Sequence, residues 1–256
     1  DIAPLPDAGM VVSRFDGLIS SDGLSIPMDL SLDISNTNSH PDEIHELVIH
    51  GLPSGFNFNF GAREGGRWVV SEADIPNLEL LTATNTKDFS LTLEGRSTLN
   101  DDSVTGTSIN MDIKIQAAGE NTLVGPEGDD RYEGGTLADT FTWSAGDQGN
   151  ILFPAKDTVI DFNSSGGSYS DTESDALDLT GLLAGLSITN GTTASTVIDV
   201  TDNGANTEFS IRPDGAIGNT QKITLEGLNM SDLVANYSDE SDFLQQLINN
   251  NLLVTG

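Results

Sequence analysis

Apolar residues alternate strictly in the first part of the chain. Ile26, Met28, Leu30, Leu32 and Ile34 occupy every second position, as do Phe89, Leu91 and Leu93, and then Ile109, Met111, Ile113 and Ile115. A period of two puts one face of a strand into a core and the other into solvent. Gly51-Leu52-Pro53-Ser54-Gly55 and Asn100-Asp101-Asp102 supply turns between such runs. Several short strands of this kind predict a β-sandwich.

The alternation stops near Gln116. From Ala118 to about Asn150, glycine and acidic residues dominate. Strand-like pieces return at 158–162, 196–200, 209–211 and 222–225. Near the end, Phe243, Leu244, Leu247 and Ile248 fall on one helical face, with Ser241 placed as N-cap. Leu252-Leu253-Val254 follows. The expected division is a sandwich over 1–117 and a second domain over 118–256, so the fold class is all-β with one C-terminal helix.

The glycine-rich stretch has a period of its own. Tyr132 and Phe141 are nine residues apart, and so are Asp130 and Asp139. This matches the nonapeptide G-G-x-G-x-D-x-U-x, where U is a large apolar residue. A partial first unit holds Gly119, Asn121 and Leu123. The second holds Gly125, Gly128, Asp130 and Tyr132. The third holds Gly134, Gly135, Asp139 and Phe141. A fading fourth keeps Gly146 and puts Gln148 in the aspartate place.

The physical logic is specific. Glycines turn the chain tightly over the first six residues of each unit, and a short strand then sends its apolar residue inward. Two units make one coil, so turns eighteen residues apart stack, which predicts a short parallel β-roll. Ca2+, a hard cation seeking six to eight oxygens, fits between stacked turns. Asn121 and Asp139 are expected on one side, and Asp130 on the other with Asp147 or Gln148. Leu123, Tyr132 and Phe141 are expected as an internal ladder. The candidate ligands from the repeat are Gly119, Asn121, Gly125, Glu127, Gly128, Asp130, Gly134, Thr136, Asp139 and Asp147. Pro126 and Leu137 replace repeat glycines, so one or two ions are expected rather than a long array.

Charge strengthens the cation reading. Forty acids against 10 bases give a net charge of −30 in 256 residues. Nucleic acid and anionic membranes need a basic footprint, so both are disfavoured as partners, and no apolar run is long enough to insert in a bilayer. With no cysteine, disulfides and thiolate chemistry are excluded. The chain opens Asp1-Ile2-Ala3-Pro4, which reads as a segment of something longer.

Catalytic signatures are missing. His45-Glu46-Leu47-Val48-Ile49-His50 approaches a zinc-protease motif, but its histidines are five apart. The motif needs i and i+4 on a helix, whereas on a strand residues five apart face opposite ways. His40 adds no geometry that joins them. There is no G-x-S-x-G elbow, Walker A loop or dinucleotide fingerprint. The chain is therefore read as non-enzymatic.

The second part resembles the C-terminal region of RTX proteins, and more closely that of bacterial RTX adhesins exported by type I secretion. Beyond the repeats, the resemblance rests on GGTLADTFTWSAGDQG (134–149), KDTVIDFN (156–163), SDALDLTGLL (174–183), QKITLEGLNMSDL (221–233) and DFLQQLINNNLLVTG (242–256). It implies a secreted, cell-surface protein whose C-terminal end is an uncleaved export signal read by the type I machinery. It also implies that Asp157 and Asp161 lie near the last calcium turns. The first part looks like the immunoglobulin-like or cadherin-like modules of the same adhesins, on IHGLPSGFNF (49–58), GGRWVVSEADIPNLEL (65–80) and SVTGTSINMDIKI (103–115). That likeness adds Asp22, Asp42 and Glu43 as ligand positions. A monomer is expected, with a host or cell-surface ligand as a further partner. Two other readings stay open: a module binding sugar, peptide or ice, and the non-catalytic tail of a secreted RTX enzyme.

Overall fold

The first alternating run is not one strand. Asp29 adopts a left-handed backbone (φ 47°) and breaks it into Ser25–Pro27 and Leu30–Asp33. Ser25–Pro27 pairs with Glu79–Leu81, whereas Leu30–Asp33 pairs with Met10–Ser13, both antiparallel. Ile26, Met28 and Leu30 are all buried. The alternation thus survives while the strand switches sheets at a corner, as sandwich strands do. The computed structural model describes residues 6–20, 25–34, 40–82, 86–164, 174–213 and 218–256.

The chain divides into two units, Asp1–Asp16 with Leu24–Ile113, and Gly17–Gly23 with Lys114–Gly256. The first is a β-sandwich. Its main sheet runs Ile109–Ile115, Lys87–Leu99, Ile44–His50, Arg67–Ser71 and Ala62–Glu64, with Asp102–Thr105 beside Lys87–Leu99. Leu47, Ile49, Val70, Leu91, Leu93 and Met111 face the core. The smaller sheets cover this face. Phe56 packs against Phe89 at a tilt of 58° with ring centroids 5.0 Å apart, and Phe58 meets the edge of Trp68 at 5.7 Å. Gly95 permits the approach of the other small sheet, because a Cβ there would strike the Gly9 carbonyl and Leu32.

The second unit is a parallel β-roll. Its chain alternates between two parallel sheets. One contains Thr122–Val124, Thr140–Thr142, Ala176–Asp178 and Leu253–Val254 in that order. The other contains Gly17–Ser20, Asp130–Glu133, Ala155–Ile160 and Gln221–Leu225, also parallel. The antiparallel strands Thr207–Ile211 and Ile198–Asp202 extend the second sheet.

Registers line up the interior. Leu123, Phe141, Leu177 and Leu253 are successive partners in one sheet. Ile19, Tyr132, Val159 and Leu225 are partners in the other. All eight belong to one buried cluster with Trp143 and Phe162. Tyr132 meets Phe141 edge-on, with centroids 6.0 Å apart.

The helix Glu240–Asn249 packs Phe243, Leu244 and Leu247 into this cluster. Its N-cap is Asp239, which accepts the Asp242 N–H, and not Ser241. Asp239 already has extended backbone, whereas Ser241 lies inside the first turn. A short helix, Gly191–Ala194, lies against it, and the Gly191 N–H donates to Gln245 Oε1 at 2.9 Å. Among the described residues, no helix is long and apolar enough to cross a membrane.

Candidate metal centre

The acidic positions of the repeat stack along two edges of the roll, and one hydrogen bond recurs between coils. The Asn121 N–H donates to Asp139 Oδ1 at 2.9 Å, across 18 residues. The Asp130 N–H donates to Asp157 Oδ1 at 2.8 Å, across 27 residues. The Asp139 N–H donates to Asp175 Oδ1 at 2.8 Å, across 36 residues. Every separation is a multiple of nine. Each carboxylate caps the backbone of the equivalent position one coil earlier.

The first edge therefore carries Asn121, Asp139 and Asp175. The parallel register then brings Asn251, with φ 53°, to the next place in the column. A polar cleft of about 300 Å³ lies along it, bordered by Glu120, Asn121, Asp139, Ser174 and Asn251. The second edge carries Asp130 and Asp157. This corrects the expected partner of Asp130: the place beside it in the parallel register goes to Asp157, on Ala155–Ile160, and not to Asp147 or Gln148. Asp147 instead turns back on its own loop and accepts the Ser144 N–H at 2.6 Å.

Glycine makes room for these carboxylates. A Cβ on Gly17 would strike Asp130 Oδ1, and one on Gly125 would strike Asp130 Oδ2 and the Tyr132 hydroxyl. A Cβ on Gly134 would come within 2.9 Å of Asp139 Oδ2. Gly128, with φ 119°, and Gly119, with φ 152°, turn the chain before Asp130 and Asn121. The Gly119 carbonyl accepts Asn121 Nδ2 at 2.7 Å.

The other candidates are placed as follows. Asp161, itself in the left-handed region at φ 62°, accepts the N–H groups of Gly134 (3.1 Å) and Gly135 (2.9 Å). It borders a cleft of about 530 Å³ with Thr136 and Gly227. Exposed Glu127 lies close enough to Asp147 to raise its pKa, after burial as the first cause. In the first unit, Glu43 accepts the Asp7 N–H, and exposed Asp42 lies 3.7 Å from His40 Nδ1. Asp22 falls outside the described residues. Asp175 was not among the sequence candidates. Its signal was the place before Ala176-Leu177-Asp178, where "SDALD" repeats the D-x-U pattern four nonapeptide lengths after Asp139.

Burial governs the electrostatics. It pushes Asp157 up to about 7 against the hydrogen bonds from Asp130, Trp143 and Gln221. It pushes Asp175 up to about 7 and Asp161 to about 6, and in each case neighbouring acids add to the effect. Two ionised carboxylates at the strand spacing of about 4.8 Å repel by about 3 kcal/mol at an effective dielectric near 20. A divalent cation beside Asp139 and Asp175 removes that cost. Among the described residues, no three His, Cys, Asp or Glu side chains converge as a ready-made cluster. The donors that the columns offer a cation are carboxylate oxygens in pairs, a type that suits a hard ion. The histidines of the HELVIH stretch are occupied otherwise: His45 contacts Ser97 at 2.7 Å and His50 contacts Glu94 at 3.2 Å, both across the sheet.

No protein-family model matches this chain, and no curated protein matches it. Among solved structures it is similar to the AlgE6R2 subunit of the Azotobacter vinelandii mannuronan C5-epimerase, at 23% identity and a TM-score of 0.34, over 48% of this chain and 73% of that one. A likeness of that size decides nothing about chemistry.

Proposed function

We propose that this chain is the non-catalytic C-terminal segment of a secreted adhesin of RTX type, in which Lys114–Gly256, with the strand Gly17–Ser20 added to one of its sheets, form a calcium-stabilised β-roll ending in a type I export signal. The first unit is its sandwich module. The observation that carries the cation reading is the column Asn121–Asp139–Asp175, where two carboxylates stack in register beside a polar cleft and Gly134 leaves room for that of Asp139. Stacked acids of this kind oppose folding unless a cation joins them. In a compartment poor in calcium the roll is destabilised, which suits passage through a narrow channel. Outside, millimolar calcium binds the folded form alone, so binding free energy becomes folding free energy. The net charge of −30 acts in the same sense. The adhesin and export assignments rest on the sequence resemblance. Type I export machinery and a cell-surface ligand are the partners in this reading.

The test is thermal unfolding of the chain in millimolar calcium, in excess chelator and in magnesium. A rise in Tm with calcium alone supports the reading. Equal melting in all three removes the calcium switch from it.

A further inference from the structure

Asp157 stands at a calcium-type position in the stacked column, yet its surroundings are those of a hydrogen-bonded anchor. It lies on Ala155–Ile160 and is 2% exposed. Oδ1 accepts the Asp130 N–H at 2.8 Å. Oδ2 accepts the indole N–H of Trp143 at 2.5 Å and Nε2 of Gln221 at 2.6 Å. Asp130 and Gln221 sit on the two strands flanking Asp157 in its own sheet. Trp143 follows the Thr140–Thr142 strand of the facing sheet, and its side chain is fully buried.

We propose that Asp157 is a metal-free clasp that ties three strands and both sheets of the roll together through N–H donors and takes no cation. Three donors fill most of the roughly four lone-pair directions of a carboxylate. Their positive ends point where a cation would have to sit. Calcium accepts oxygen ligands and has no use for N–H groups, so a carboxylate that holds three such donors does not fit the ion. Gln221 suits the clasp. It is wholly buried, and its Oε1 has no hydrogen-bond partner among the described residues. Its Nε2 also donates to the Lys222 carbonyl at 3.2 Å, which holds the amide in the orientation that serves Asp157. An asparagine at 157 does not reproduce the clasp, because in either orientation its NH2 group would face an N–H, that of Asp130 or that of Trp143, donor against donor.

This inference refines the calcium reading by confining the ion to the other acidic positions. The test is to melt wild type, Asp157→Asn and Trp143→Phe in chelator and in saturating calcium, with calcium uptake measured by equilibrium dialysis. Trp143→Phe keeps the ring and removes only the N–H. The expected result is that both variants lose several degrees in chelator and the same amount in calcium, with calcium stoichiometry unchanged. A D157N protein that melts like wild type in chelator but binds one calcium fewer would overturn the clasp. If D157N does not fold, Trp143→Phe decides alone: no loss in chelator overturns the clasp. A wild type that takes up no calcium would defeat the calcium reading, and the melting in chelator would still decide the clasp.

Discussion

The backbone N–H of Asp139 donates to Oδ1 of Asp175, 36 residues further along the chain, at 2.8 Å. The bond joins two acidic positions that an insertion has pulled apart in sequence and the parallel sheet has restored in space. It also brings a second negative charge to the side of the first, which sets the terms for what this edge can bind.

Substituting Asp139 by Asn keeps the cap on the Asn121 N–H and removes one charge. The rise in Tm produced by calcium should then shrink, and Tm in chelator should rise, because the repulsion from Asp175 is relieved. A site held at a hundredfold excess of calcium over its Kd contributes about 2.7 kcal/mol, so loss of one site is resolvable by melting. Asp175→Asn should also shrink the calcium effect, but it should lower Tm in chelator, because the two Asp175 oxygens accept the N–H groups of Asp139 and Asn163 and an amide NH2 would oppose one of them.

The fall of stability with pH should be weaker in calcium than in chelator. Folding raises Asp157 and Asp175 to about 7 and Asp161 to about 6, all by burial first. A carboxyl raised in the folded state contributes stability that is fully present below its ordinary value near 4 and is lost as pH rises through 6 to 7. In chelator, Tm should therefore be higher at pH 5 than at pH 8. Calcium competes with protons for Asp175, so the rise it produces should be larger at pH 8. Tm in chelator that climbs between pH 5 and pH 8 would contradict this assignment.

Gly125→Ala should destabilise the second unit by about 1–3 kcal/mol, as overpacking does. The added methyl collides with the Tyr132 hydroxyl and the Asp130 carboxylate, both buried. Gly227→Ala is the contrast for crowding. Its Cβ meets open space, so any loss there comes from its φ of +80° alone.

The C-terminal helix offers a test of its cap. Asp239→Ala should cost about 1 kcal/mol, typical of a lost N-cap. Ser241→Ala gives up only a contact at 3.1 Å with exposed Thr192, and should change chemical denaturation within about 0.5 kcal/mol, as surface substitutions do.

Much of the roll is readable from the chain, because a nine-residue period ties turn, acid and apolar residue together. Leu123, Tyr132 and Phe141 occupy the interior that period assigns to them, fully buried. Legibility thins where insertions begin. Asp157 and Asp175 lie three and four nonapeptide lengths from their partners, so the D-x-U triplets Asp157-Thr158-Val159 and Asp175-Ala176-Leu177 are the local trace of the columns that the insertions leave. Gly17–Ser20 pairs in parallel with Asp130–Glu133, a partnership across more than a hundred residues that leaves no periodic trace. The corner at Asp29 is hidden for the opposite reason: the buried alternation runs through it unbroken, although the backbone does not. Asp157 shows the limit for the site. Its place in the column suggests a ligand, and only the positions of Trp143 and Gln221 reveal that donors already surround it.

The central claim is that the Asn121–Asp139–Asp175 edge holds calcium. Isothermal titration of the whole chain with calcium, repeated on Asp139→Asn and in a magnesium background, tests it most directly. The account predicts saturable binding by wild type that magnesium does not displace, and one site fewer in the variant. Absence of binding by wild type, or the same number of sites in Asp139→Asn, would contradict it.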